Sequence, residues 1–158
     1  MRSALKKVAA LTAVLLLTAC ATVPGSAPAF SEAPAPTGGE GLLYVYRVGA
    51  YPTLRTPKIL VDGKPLFAPP ERAYTWAHLP AGEHGITVNW AWDTGWPDLH
   101  FKVDVAAGQP AFLKISGSFE NLGDHYLAGS NASGVDAPMA MEELKACCKY
   151  IAPYAGFR

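Results

Sequence analysis

His84 to Trp92 reads HGITVNWAW, with Ile86, Val88, Trp90 and Trp92 on one side of an alternating pattern and Thr87, Asn89 and Ala91 on the other. Successive side chains of a strand point to opposite faces, so this period of two predicts a half-buried β-strand. Downstream, Leu99, Phe101, Val103 and Val105 alternate with His100, Lys102 and Asp104. After the turn Ala107-Gly108-Gln109-Pro110 the pattern returns with Ala111, Leu113 and Ile115. Upstream, Ala73 to Leu79 predicts another strand, closed by Pro80-Ala81-Gly82. Pro57 to Asp62 runs into Asp62-Gly63, a pair suited to a tight hairpin because both residues accept positive φ, and Lys64 to Phe67 returns as a short strand. Gly41 to Val48 (GLLYVYRV) is apolar on both faces, which predicts a central strand covered on each side. Short strands at close spacing, separated by turn residues, predict a mostly β fold: an antiparallel β-sandwich of about seven short strands.

One C-terminal α-helix completes the prediction. Pro138 suits a first helical turn, and Met141, Leu144, Cys148 and Ile151 form one apolar stripe, so the helix is expected from about Pro138 to Tyr150. The Gly/Ser/Asn-rich stretch from Asp124 to Val135 reads as a loop. Cys147 and Cys148 are adjacent. They read most simply as two small apolar residues on a helix, with a vicinal or intermolecular disulfide and a metal or redox role as the alternatives. A vicinal disulfide joins Cα atoms only about 3.8 Å apart, closer than usual, and would break a helix.

The N-terminus has a different composition. Arg2, Lys6 and Lys7 precede the apolar run Val8 to Leu17, which is far shorter than the ~20 residues a membrane-spanning helix needs. Leu17-Thr18-Ala19-Cys20 then resembles a bacterial lipobox, with cleavage between Ala19 and Cys20 and lipid on the Cys20 thiol. Residues 1–19 are thus expected to be a lipoprotein signal peptide. Two or more acyl chains hold a protein stably to a bilayer, whereas one does so marginally. Ala21 in place of Asp resembles the pattern of outer-membrane lipoproteins, so the expected location is the outer membrane, lipid-anchored and facing the periplasm, with the inner membrane or the cell surface as alternatives. Residues 20–40 are Pro, Ala, Ser and Gly with almost no apolar periodicity, and read as a lipidated Cys followed by a disordered linker. Such a linker could reach ~60 Å from the bilayer. Residues 41–158 form the folded domain.

The chain of 158 residues has 13 basic and 13 acidic side chains; losing residues 1–19 removes three basic ones, leaving 10 against 13 and a net charge of −3. That balance argues against nucleic acid or an anionic membrane surface as a partner, since both need clustered positive charge.

Tyr44-Val45-Tyr46-Arg47, Val61-Asp62-Gly63-Lys64 and Leu79-Pro80-Ala81-Gly82-Glu83-His84, in that order and spacing, resemble a family of small bacterial lipoproteins known as domain of unknown function 2846. The strand-and-turn vocabulary is also similar to PEGA-type and transthyretin-like sandwiches. The resemblance covers about Gly41 to Ser118 and implies a β-sandwich outside the cytoplasm. It carries no catalytic residues. The Trp-rich stretch Trp90 to Trp96 departs from it. The motifs have a structural reading of their own: Asp62, Gly63, Pro80 and Gly82 serve turns, and Arg47 is expected to pair with Asp62 or Glu71.

Candidates for chemistry are few. His78 and His84 flank one turn and could form a site with a carboxylate, while His100 falls on a polar strand face; His125 lies in the Gly/Ser/Asn-rich stretch. Ser116-Gly117-Ser118 lacks the nucleophile-elbow pattern, and no zinc-ligand spacing is present. An enzyme is not expected, nor a cofactor or metal. The candidate binding residues are the aromatics Trp76, Trp92 and Trp96. Trp90 and Trp92 share the face of Ile86 and Val88, so core packing is the simpler reading for them. Trp96 sits in the turn Asp93-Thr94-Gly95-Trp96-Pro97 with no strand pattern to hold it inward, so it is the expected exposed indole. The expected partners are the membrane, through the lipid, and an envelope protein or glycan. The reading is a non-catalytic binding or scaffolding module, with a glycan- or peptidoglycan-binding module second and an envelope hydrolase third.

Overall fold

The computed structural model describes residues 22–50, 55–121, 123 and 126–157. Two sheets pack face to face as a sandwich. Sheet one contains β1 (Glu40–Arg47), β4 (Ala73–Pro80), β7 (Pro110–Asn121), β8 (Tyr126–Gly134) and β9 (Lys149–Tyr150), in the order β8-β7-β1-β4-β9. Sheet two contains β2 (Lys58–Val61), β3 (Lys64–Phe67), β5 (Gly82–Asn89) and β6 (Leu99–Val105), in the order β3-β2-β5-β6. The one helix among the described residues, α1 (Ala137–Cys147), packs on sheet one.

β1 is central and buried from Gly41 onward, as its sequence predicts. Its two faces join two cores. Leu43 and Val45 meet Ile59, Phe67, Ile86, Val88, Leu113 and Ile115 between the sheets. Leu42, Tyr44 and Tyr46 point outward with Tyr74 and Phe112, where Ala140 and Leu144 of α1 cover them. The Tyr46 hydroxyl donates to Glu143 Oε2 (2.6 Å), and Lys114 pairs with the other oxygen of Glu143, tying α1 to the sheet. Gly41 lies so close to the strand end opposite that a Cβ there would come within 2.3 Å of the Ala106 carbonyl oxygen.

The sandwich holds nine strands among the described residues, and two pairings are parallel: β1 with β7, and β4 with β9. The β1–β7 pair becomes possible because the chain leaves sheet one at Pro80-Ala81-Gly82, builds β5 and β6, and returns to the other side of β1. The expected loop from Asp124 to Val135 is mostly β8, paired antiparallel with β7 from Leu113↔Gly134 to Asn121↔Tyr126. From Ala128 to Gly134 it is built of Ala, Gly, Ser and Asn, too small to show an apolar period, although Ala132 packs on the inter-sheet core. The helix stops at Cys147, earlier than expected. Cys148 adopts extended backbone (ψ 144°), and Lys149 and Tyr150 run beside Ala73 and Tyr74. Cys147 and Cys148 are joined by a disulfide, which sits at the helix end rather than within it.

The expected disordered linker needs the largest correction. Residues 22–36 form a strap along the outer side of sheet one. Thr22 bridges Glu71, and Ala29 bridges Lys149. Phe30 rests on Tyr74 and Tyr44, with ring centroids 5.2 and 6.5 Å apart. Tyr74 hydroxyl accepts from Ser31 N–H (2.9 Å) and donates to Ser31 O (3.0 Å), while Tyr44 hydroxyl accepts from Ala33 N–H (2.8 Å). The ~60 Å reach expected of a free extended linker therefore does not apply to these residues. The lipobox residues Leu17, Ala19 and Cys20, with the whole of residues 1–19, lie outside the described residues, as does His125.

Candidate functional site

The β2–β3 turn and the start of β5 build one corner of the molecule. Asp62 (φ 49°) and Gly63 (φ 77°) both take left-handed backbone, the geometry that matches the twist of a two-residue hairpin. This orients the Asp62 carboxylate toward β5, where Oδ1 accepts from Gly85 N–H (2.9 Å) and Oδ2 accepts from His84 Nδ1–H (2.7 Å). The other ring nitrogen of His84 lies 2.8 Å from the Pro80 carbonyl. A carboxylate and a carbonyl both accept, so the contacts are fully used only when both ring nitrogens carry hydrogen, and the site favours the imidazolium form of His84. Burial opposes that charge, but the bonds to Asp62 and Pro80 prevail and raise the His84 pKa. The hydrogen bond from His84 likewise lowers the pKa of Asp62. The second and third motifs of the sequence are thus clamped together by a charge-assisted contact.

Beside this corner lies a cleft of about 690 Å³. Its floor is β4 from Trp76 to Pro80, one wall is the Asp62–Lys64 turn, and Pro153 and Phe157 of the C-terminal tail form the other. The floor is a strand edge. Tyr74 O accepts from Ile151 N–H on this side, and β9 pairs only with Ala73 and Tyr74. Because alternate residues share a direction, the main-chain N–H and C=O of Trp76 and His78 point the same way as Tyr74 O. No strand among the described residues covers them. Pro153 cannot donate to a ladder, which suits the tail's departure from β4.

His78, His84 and a carboxylate do meet here: both histidines line the cleft with Asp62 and Glu40. Both ring nitrogens of His84 and one of His78 are engaged, however. His78 Nε2 is 2.9 Å from Pro34 O, and each ring nitrogen of His84 already faces an acceptor, Asp62 or Pro80 O. His100 is exposed and bonds Thr87 across β5 and β6 (3.1 Å).

The tryptophans divide differently from expectation. Trp76 is half-buried, lines the cleft and stacks near Tyr150 and His78. Trp90 is buried, donating to Ser130 Oγ (3.1 Å). Trp92, not Trp96, is the exposed indole, at 93% of its free surface. The reason is that β5 ends at Asn89 and a 3₁₀ turn at Trp92–Thr94 breaks the alternation, turning Trp92 outward. Trp96 folds back edge-on against Trp90, with centroids 4.9 Å apart. Beneath Trp90 lies the fully buried Arg47, 5.4 Å from the ring centroid. Arg47 donates to the carbonyls of Ala50, Arg55 and Pro69 and pairs with Glu71 (3.6 Å), the second of its two expected partners. It holds together loops that sequence reading left unconnected; the only signal was an arginine closing an otherwise apolar strand.

The family model described as protein of unknown function DUF2846 matches residues 37–129. No curated protein matches the chain, and no solved structure does. The matched span runs from β1 into β8 and contains Arg47, the Asp62–His84 clamp and the floor of the cleft. The chain belongs to the DUF2846 family of proteins of unknown function.

Proposed function

We propose that the chain is a lipid-anchored protein of the bacterial cell envelope, facing the periplasm from the outer membrane, whose folded domain binds a partner without catalysis. The anchor rests on the basic N-terminus, the short apolar run and Leu17-Thr18-Ala19-Cys20. Among the described residues no helix is long and apolar enough to cross a membrane. The binding role rests on one observation: the uncovered main-chain edge of β4 at Trp76 and His78 opens into the cleft. Such an edge accepts an extended peptide as an added strand, main-chain bonds giving affinity and side-chain pockets selectivity. An unstructured segment of an envelope protein has the required chemistry.

The test is a photo-crosslinking residue at position 64 in living cells, with position 102 on the far strand β6 as control. A discrete adduct is expected at 64 and not at 102, and His78→Pro should abolish it. That substitution removes an outward N–H and spares the β1 ladder, so the fold should persist. No adduct at 64, or one indifferent to His78→Pro, would refute the reading.

A second reading, a glycan- or peptidoglycan-binding module, is favoured by Trp76 in the floor of the cleft. Aromatic faces stack on sugars, so a muropeptide should quench tryptophan fluorescence in the wild type and less in Trp76→Phe. A flat titration counts against it. The envelope hydrolase has the least support, because both ring nitrogens of His84 are occupied by acceptors.

A further inference from the structure

We infer that residues 22–36 are a rigid mount that fixes which pole of the domain meets the lipid headgroups. The inference rests on the lipoprotein reading of Cys20. Its geometry comes from the strap. Thr22 bridges Glu71, and from Cys20 to Thr22 the chain spans at most about 7 Å. The end of the domain that holds Thr22, at Glu71 and Arg72, is therefore the end nearest the anchor along the chain, with no long leash between them.

The strap is held along its length, so it cannot swing. Lys149 Nζ donates to Gly25 O (3.0 Å) and Tyr150 N–H to Pro28 O (2.8 Å). Phe30, Ser31 and Ala33 dock on Tyr44 and Tyr74, and His78 Nε2 meets Pro34 O (2.9 Å). A pole made of Arg72, the last turn of α1 and Lys149 therefore faces the bilayer. The exposed side chains there suit a headgroup layer: Arg72 and Lys145 are cationic, and Glu71 is turned inward to Arg47 and the Gly49 and Ala50 amides. Thr22, Val23, Glu71, Arg72, Cys147 and Lys149 also line a depression of about 460 Å³ at this pole, room for a headgroup whose amine can meet Glu71 and whose phosphate can meet the cations. With a domain charge of −3, the lipid does the holding and these cations set the contact.

The consequence for the cleft is a direction. β4 begins at Ala73 beside the mount and ends at Pro80 in the cleft, and eight residues of strand extend about 23 Å. The mount therefore presents the cleft away from its own membrane, at a fixed height.

The test uses the lipidated mature protein in nanodiscs containing headgroup-spin-labelled lipid, with amide signals read by NMR. Arg72, Lys145 and Lys149 are expected to broaden at least threefold more than Gly63, Lys64 and Gly82. Inserting twelve Gly/Ser residues between Ala21 and Thr22, which leaves the strap docked, should erase that contrast. Uniform broadening in the wild type, or an unchanged contrast in the insertion variant, would overturn the mount. Two further results separate it from the anchor itself. An unmodified Cys20 overturns anchor and mount together. A lipidated Cys20 with the Ser31 and Ala33 amides exchanging as in a free peptide overturns the mount alone.

Discussion

Between Asp62 and His84 a single contact holds two turns in register, and its pH dependence has a defined sign. The His84 pKa is raised above its unfolded value near 6.5, so its contribution is complete below about pH 6.5 and fades as pH climbs through the folded value. The Asp62 pKa is lowered, so its contribution is complete above about pH 4 and fades as pH falls through the folded value. The clamp is therefore strongest in the window between. Asp62→Asn, which keeps a residue tolerant of positive φ, should lower stability by about 1–2 kcal/mol at pH 5.5 and by clearly less at pH 9. Urea unfolding at both values measures this, and an equal loss at the two would contradict it. The tryptophans give a second residue-scale prediction. Trp90→Ala should cost about 3–5 kcal/mol because it empties the space over Arg47. Trp92→Ala should stay within about 0.5 kcal/mol, and thermal melts of the two variants decide it. Asp62 and His84 were each legible as turn and strand-start residues. Their pairing was not, because it depends on how two hairpins twist toward each other.

Among the elements, strands with one buried face were legible and those without were not. β5 and β6 alternate because one side meets the core. β8 is built mostly of Gly, Ala, Ser and Asn and draws its order from β7, so composition alone reads it as a loop. The strap was hidden for a similar reason: Pro, Ala and Ser carry no period, and its one aromatic anchor is Phe30. Phe30→Ala should loosen the strap by about 1–3 kcal/mol, less than a fully buried Phe. Hydrogen exchange should then show lost protection at Ser31 and Ala33 with β1 and β7 unchanged; unaltered strap protection would count against its docking on Tyr44 and Tyr74. The end of α1 is hidden too, since the 3-4 spacing of Leu144, Cys148 and Ile151 continues past the helix. Ile151 instead packs, partly buried, against the core between the sheets, reached by the extended backbone at Cys148.

For the molecule as a whole, the sandwich, its two cores and the cleft follow from β1 being apolar on both faces. Sheet two covers one side, and α1 with the strap covers the other. The cleft exists where that covering stops, at the end of β4 beyond β9. No single segment encodes it, so it was not legible beyond the placing of His78 and His84 near one turn. What the domain does with an open strand edge depends on where it is held, and that returns to Cys20. The most direct measurement is the intact mass and N-terminal peptide of the protein purified from its native membrane. The account predicts a chain that begins at Cys20 and carries a diacylglyceryl group with an N-linked acyl chain. A chain beginning elsewhere, or an unmodified Cys20, would contradict it.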